Sequence, residues 1–330
     1  MTIQITIIGL GQIGTSVGLV LAEQNELIKR VGYDRDQGTA RKAEKMGALD
    51  RVAPNLRASV RDADMVLLSL PMDQIRETLD IIGPELREGV VVMDTGPVKE
   101  VVAAWAGELL PPGRHYIGLT PVINPAYLHE AGSGVDAAKP DLFRGGLIAI
   151  VATPRVSSEA IKLAADLTRL LGSMPLFADP TEVDSQMAAT HLLPQLLAAA
   201  LLNATVDQPG WREGRKIAGR AYAESTGPIA HMSEPQTLRA SIMLNRDNML
   251  RLIDSTVASL LAFRNDINDE NHDALKERLE RARQGRDRWW KQRQAADWAN
   301  IEAVSATEYA ETPDIFGRLL GLGRKPKTKK

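Results

Sequence analysis

Gly9-Leu10-Gly11-Gln12-Ile13-Gly14 places three glycines where a backbone must approach a bulky, negatively charged group. Residues 3–8 before it are a mainly apolar, β-branched run, and an amphipathic helical stretch follows from about 13 to 23. In a strand–turn–helix of this kind the first glycine permits the tight turn and the second admits a pyrophosphate. The third lets helix and strand pack closely. The helix N-terminus adds unpaired N–H groups and a partial positive charge. Asp34 closes a second strand at 30–33, 20 residues after Gly14, where its carboxylate can accept hydrogen bonds from both adenosine ribose hydroxyls. The pattern predicts a dinucleotide site favouring NAD. Arg35 can instead meet a 2′-phosphate, so NADP stays open. A glycine pattern alone is a weak signal, and the flanking strand, helix and acid are what make this one specific.

The other groups able to do chemistry are few. With no cysteine in the chain, disulfides, thiolate metal sites and cysteine nucleophiles are excluded, and no metal site is expected. Five histidines remain, of which only His191 sits on a long apolar helix. His115 starts a strand, while His129 and His272 lie in polar surroundings and read as surface residues; His231 falls in a loop.

The elements that must position these groups follow from periodicity. Helical stretches at 37–47, 73–82 and 98–109 alternate with a short segment at 49–52 and strands at 65–70 and 90–93. Strands separated by helices imply a parallel, doubly wound sheet with its ligand at the strands' carboxyl ends. Ser69, Leu70, Pro71 and the Asp94-Thr95-Gly96 turn therefore fall on the cofactor side. After a strand at 116–119 comes a glycine- and proline-bearing stretch, 121–146, then a further strand–helix–strand set at 147–152, 157–172 and 174–178. From Pro180 the strands stop. A helix at 180–207 is apolar on most faces, as for a helix buried by neighbours or by a partner subunit, and Pro194 should kink it or open a backbone position. Helices near 211–223, 235–265 and 269–300 complete the chain. The fold class is α/β, with a Rossmann-type domain at 1–179, an all-α domain at 180–304 and an extension with a basic tail at 305–330.

Composition agrees with an enzyme-sized globular protein of 330 residues, 44% hydrophobic and 25% charged. The net charge of −2 conceals an acidic body, because residues 324–330 hold five positive charges and no acid. An acidic body argues against nucleic acid as a partner. No uncharged apolar run approaches the roughly 18–20 residues that span a bilayer, and no leader precedes the first strand, so a cytoplasmic protein is expected. The basic tail after 315–322 can touch a partner or an anionic membrane surface, although a solvated terminus is the commoner outcome.

GLGQIG, YDRD (33–36), DTGPVK (94–99), GLTP (118–121), ATHLLPQ (189–195) and SEPQTLRASIMLNRDNML (233–250) together resemble the prephenate/arogenate dehydrogenase family, with its 6-phosphogluconate-dehydrogenase-like helical domain, over about residues 3–265. The resemblance implies a Rossmann half and a helical half that forms the substrate site and a homodimer interface. It also implies an oxidative decarboxylation in tyrosine biosynthesis, in which a hydride passes to NAD(P) from the hydroxyl-bearing ring carbon. On the cofactor side Asp94 and Lys99 are retained. On the substrate side four positions depart from the family pattern. Pro97 stands for a serine, Thr120 for the histidine of glycine-x-histidine-proline, and Gln195 for a second histidine. Thr226-Gly227-Pro228-Ile229 lacks the family's carboxylate-clamping arginine. A hydroxyl orients a substrate but is no base at neutral pH, where imidazole is.

The expected catalytic pair is Thr120, orienting a hydroxyl, and His191, taking its proton. Asn124, Gln195 and Arg239 are expected to bind a substrate that carries a hydroxyl and a carboxylate. Arg220 and Arg246 are further anion-clamp candidates, Arg239 and Arg246 lying seven apart on one helix face. Three functions compete: a dehydrogenase acting on a cyclic or small hydroxy acid, a catalytically lapsed NAD(P)-binding sensor or scaffold, and a dehydrogenase of the wider β-hydroxy-acid type. The last lacks the lysine and asparagine it requires on the central helix.

Overall fold

The computed structural model describes residues 2–24, 26–130, 132–230 and 234–296. Contacts divide the chain into two compact units, one holding everything described up to Asn245 and one beginning at Arg246. His231 and the tail from 297 onward, including the 305–330 extension, lie outside the described residues.

The first unit is built on one eight-stranded sheet, β1 (Ile3–Ile8), β2 (Ile28–Tyr33), β3 (Arg51–Val52), β4 (Met65–Leu68), β5 (Val91–Asp94), β6 (His115–Val122), β7 (Leu147–Ala152) and β8 (Met174–Phe177). Their order is β3-β2-β1-β4-β5-β6-β7-β8. The helices interleaved with them are α1 (Gln12–Leu21), α2 (Gln37–Lys45), α3 (Leu56–Val60), α4 (Met72–Ile82), α5 (Glu100–Leu109) and α6 (Ser158–Leu170). The two faces of the sheet carry separate apolar cores, one around Ile5, Ile7 and Val17, the other around Val66, Leu68 and Ile75. The strands are buried on both faces, and successive residues join opposite cores, as for a strand whose side chains alternate in direction.

One pairing departs from the all-parallel expectation. β7 runs antiparallel to β6, in register from Ile117↔Ala152 to Val122↔Leu147. Among its described residues the connection at 123–146 holds only two short 3-10 turns, so the chain re-enters the sheet at the end it left and must run back. β7, α6 and β8 then form the parallel strand–helix–strand set that the sequence predicts.

The predicted long helix 180–207 is a continuous helical path made of α7 (Pro180–Met187), a π turn (Ala188–Leu192) and α8 (Leu193–Thr205). Pro194 lacks an N–H and its ring crowds the preceding turn, which is where the regular ladder widens. In α8 only Ala198 is fully buried, and Leu197 is 40% exposed. The stretch Pro180–Thr205 is long and apolar enough to cross a membrane by composition, but its first half is tied into the first unit through Asp184.

The stretch near 211–223 is two helices, α9 (Trp211–Ile217) and α10 (Arg220–Ala230), separated where Ala218 turns extended before Gly219. The stretch 235–265 is likewise divided, into α11 (Pro235–Leu244) and α12 (Arg246–Asn268), at Asn245. Arg239 and Arg246 therefore do not share a helix face. The second unit comprises α12 and α13 (His272–Ala295), the latter capped by the Asn271 side chain accepting the Ala274 N–H at 3.0 Å.

Candidate functional site

The sheet order reverses between β1 and β4, and a crevice forms outside the carboxyl ends of strands at such a point. Gly9 stands at its mouth with φ +90°, and a Cβ there would lie 2.1 Å from the Ser69 carbonyl oxygen. A Cβ on Gly14 would lie 2.0 Å from the Gly9 oxygen, so both positions admit only glycine. A Cβ on Gly11 would meet nothing within 4 Å, which leaves open space in front of that backbone. Gly11 is the N-cap of α1 and provides no side-chain cap, so the first turn presents its N–H groups outward. Space at Gly11, crowding at Gly9 and Gly14 and uncapped donors fit a pyrophosphate.

A cleft of about 840 Å³ opens there, lined among others by Gly9, Gly11, Asp34, Arg35, Ser69 and Pro71. The Asp34 carboxylate accepts the Leu10 N–H at 2.7 Å and the Asp36 N–H at 2.9 Å, which fixes the acid beside the glycine turn. Leu10 itself is fully buried, and the Gln12 side chain donates to the Ala137 carbonyl at 3.1 Å, so these two shape the turn and do not line the cleft.

Ser69, Leu70 and Pro71 also line a second cleft, of about 880 Å³. Ile13, Thr95 and Gly96 border it on the sheet side, with His191 and Gln195 on the helical side. α10 contributes Glu224, Gly227 and Pro228, and the loop after β6 contributes Leu128, His129 and Glu130. Gln195 donates its side-chain amide to the His191 carbonyl at 2.9 Å, one turn back. The His191 ring is open to the cleft yet surrounded by protein, and the resulting desolvation holds it below the ordinary imidazole value.

Four expected residues lie elsewhere. Thr120 is buried, pairs with Ala149 across β6 and β7, and faces the side where Ala149 packs on Val183; its Oγ1 has no hydrogen-bond partner among the described residues. Asn124 spends its side chain locally, accepting the Ala126 N–H at 3.0 Å and donating to the Asp141 carbonyl at 3.4 Å. Arg239 is exposed on α11, whose Thr237, Leu238 and Ser241 line the cleft instead. Asp94 lies beneath the cleft floor, in a cluster that sequence reasoning did not assemble.

That cluster explains the DTGPVK turn. Asp94 and Lys99 are both fully buried, and Lys99 Nζ donates to Asp94 Oδ2 at 2.7 Å. Asp94 also accepts the Gly96 N–H at 2.7 Å and the Tyr116 hydroxyl. Burial pushes the Lys99 ammonium down, against the opposing pull of Asp94, and burial followed by Asp94's charge pushes the Tyr116 phenol well above its usual value. Gly118 makes room for the lysine, since a Cβ there would lie 2.7 Å from Lys99 Cδ. From α7, Asp184 accepts the N–H groups of Lys99 and Glu100 at 2.5 and 3.1 Å. Asn245 donates to the Asp184 carbonyl at 2.7 Å. Burial pushes the Asp184 carboxyl up against these hydrogen bonds. Thr95 and Gly96 are thus held at the cleft by a polar network under them. Asp184 had no distinguishing sequence signal, standing among Thr181, Glu182, Ser185 and Gln186 on the polar first turns of its helix, and His129 had none because the loop that delivers it has no periodicity.

Comparison with known proteins adds the family. Residues 17–174 match the nucleotide-binding domain of prephenate dehydrogenase, and residues 179–281 match its dimerization domain. The cyclohexadienyl dehydrogenase of Zymomonas mobilis is 24% identical over 284 residues, covering 86% of this chain and 94% of that protein. The prephenate dehydrogenase of Bacillus subtilis is 23% identical, covering 86% and 75%. Among solved structures, prephenate dehydrogenase from Aquifex aeolicus in complex with hydroxyphenyl propionate and NAD+ superposes with a TM-score of 0.77 at 23% identity, over 87% of this chain and 98% of that one. Synechocystis arogenate dehydrogenase superposes with a TM-score of 0.68 at 22% identity, over 87% and 100%. With both halves matched in order, the chain belongs to the prephenate dehydrogenase family and is an NAD-dependent dehydrogenase of that type.

Proposed function

We propose that the chain oxidises a hydroxy acid of the prephenate or arogenate class, holding NAD in the first cleft and the hydroxy acid in the second. One observation carries this reading: the two clefts share Ser69-Leu70-Pro71, and His191 and Gln195 face Thr95 and Gly96 across the second. When bound, NAD would supply the acceptor for the substrate's hydride. The Gly9–Gly14 turn and Asp34 would hold the cofactor, and the buried Asp94–Lys99 pair braces the Thr95-Gly96 turn beside it. His191, whose neutral form desolvation favours, accepts the hydroxyl proton, and Gln195 is a substrate-binding residue.

The helical region serves as the second wall of the site and as a homodimer interface. The matched dimerization domain and the apolar surface of α8 support that assignment, and the start of the matched domain at 179 supports a functional boundary at 179/180. The second cleft is open and presents His129, His191, Gln195 and Glu224 among its lining, which favours an enzyme over a lapsed cofactor-binding protein, whose cleft apolar side chains would fill. The test is NADH formation with prephenate, arogenate and simpler hydroxy acids. Turnover of the first two is expected. NAD binding without turnover on any of them would return the protein to the sensor class.

A further inference from the structure

No lysine or arginine lines the second cleft among the described residues. A substrate of the proposed class nevertheless brings at least one carboxylate, and an anion in a protein cleft needs a charged donor. The lining groups able to carry positive charge are two imidazoles, His129 and His191. His191 is disfavoured for this task because the surrounding protein penalises its charged form. His129 enters from the opposite wall, on the loop after β6, where it is open to solvent.

That loop is built to hold a side chain in place. Its start is pinned by the Asn124 N–H on the Leu142 carbonyl at 2.7 Å. Tyr127 donates its hydroxyl to Asp141 at 2.6 Å, and Lys139 lies 4.4 Å over the Tyr127 ring. The Lys139 N–H bonds Ser16 Oγ of α1 at 2.9 Å, so the loop is fastened to the helix that begins at the glycine turn. Two carboxylates border the same cleft. Glu130, next to His129, is met by Lys139 at 2.9 Å, and Glu224 stands on α10.

We propose that His129 is a substrate-binding residue, its imidazolium pairing with the substrate's carboxylate in the place of a guanidinium that none of the described residues brings to this cleft. The inference rests on the dehydrogenase reading for its substrate class. Glu130 with its partner Lys139, His191 and Glu224 share this cleft with His129.

The test is calorimetric binding of hydroxyphenyl propionate to the full chain saturated with NAD for wild type, His129→Gln and His129→Arg, alongside steady-state kinetics. Wild type is expected to bind roughly tenfold or more tightly than His129→Gln. The loss in His129→Gln should fall in KM and not in kcat. His129→Arg should restore tight binding. Unchanged affinity in His129→Gln, or no wild-type binding, overturns the inference. The two readings fail separately. Binding that weakens in His129→Gln but no turnover on any hydroxy acid removes the dehydrogenase and leaves the anion site. Turnover with a KM indifferent to His129 does the reverse.

Discussion

The Asp184 carboxylate accepts the Lys99 main-chain N–H at 2.5 Å, joining the first turns of the helical region to the turn 94–99 across 85 residues of sequence. Together with the Asp94–Lys99 pair it makes a polar core under the site.

Asp94→Asn strands the Lys99 ammonium in a fully buried position. Breaking one side of a buried pair costs about 3–5 kcal/mol. Denaturant unfolding should show a loss of that size, and NAD affinity should fall as the Thr95-Gly96 edge loosens. A change in unfolding free energy below about 1 kcal/mol would mean that Lys99 finds another anion.

Gly11→Ala and Gly14→Ala separate folding from binding. The first adds a methyl group to open space, so the melting temperature should hold while NAD affinity drops at least about tenfold, because the pyrophosphate approach is blocked. The second drives a Cβ into the Gly9 carbonyl and should destabilise the chain itself. Equal NAD affinity in Gly11→Ala and wild type would remove the pyrophosphate from this turn.

The pH dependence of kcat tests His191. A base must be neutral, and desolvation holds this imidazole below its ordinary value of 6.5. Turnover should therefore rise with pH along an acid limb centred below that value and stay level above it. His191→Gln should remove the limb and lower kcat by about 10²–10⁴-fold. Undiminished turnover in that variant would end the assignment.

Thr120→Val examines the residue at the family's histidine position. Its hydroxyl is buried and unpaired, and removing such a group is neutral or stabilising by up to about 1–3 kcal/mol. The melting temperature should hold or rise and kcat should stay within about twofold. A large fall in kcat would place the threonine on the substrate.

The glycine turn, the acid that follows it and the alternation of strand and helix were legible without coordinates, because each depends on local geometry. A residue needing positive φ, a period of 3.6 or 2 and a short turn all leave their marks within a few positions. His191 and Gln195 were legible for a related reason, since one helical turn places both on the same wall. The direction of β7 was not, because it depends on where a long irregular connection returns. Nor was the break at Asn245, whose side chain leaves the helix pattern to reach the Asp184 carbonyl 61 residues away.

The sequence by itself therefore determined the fold class and the cofactor half. The tertiary structure decided which polar groups line the second cleft. It buried Thr120, turned Asp94 inward to Lys99, left Arg239 on the surface and carried His129 into the cleft. Those outcomes rest on side-chain pairings between residues far apart in the chain, and a pairing between distant residues has no periodicity to betray it.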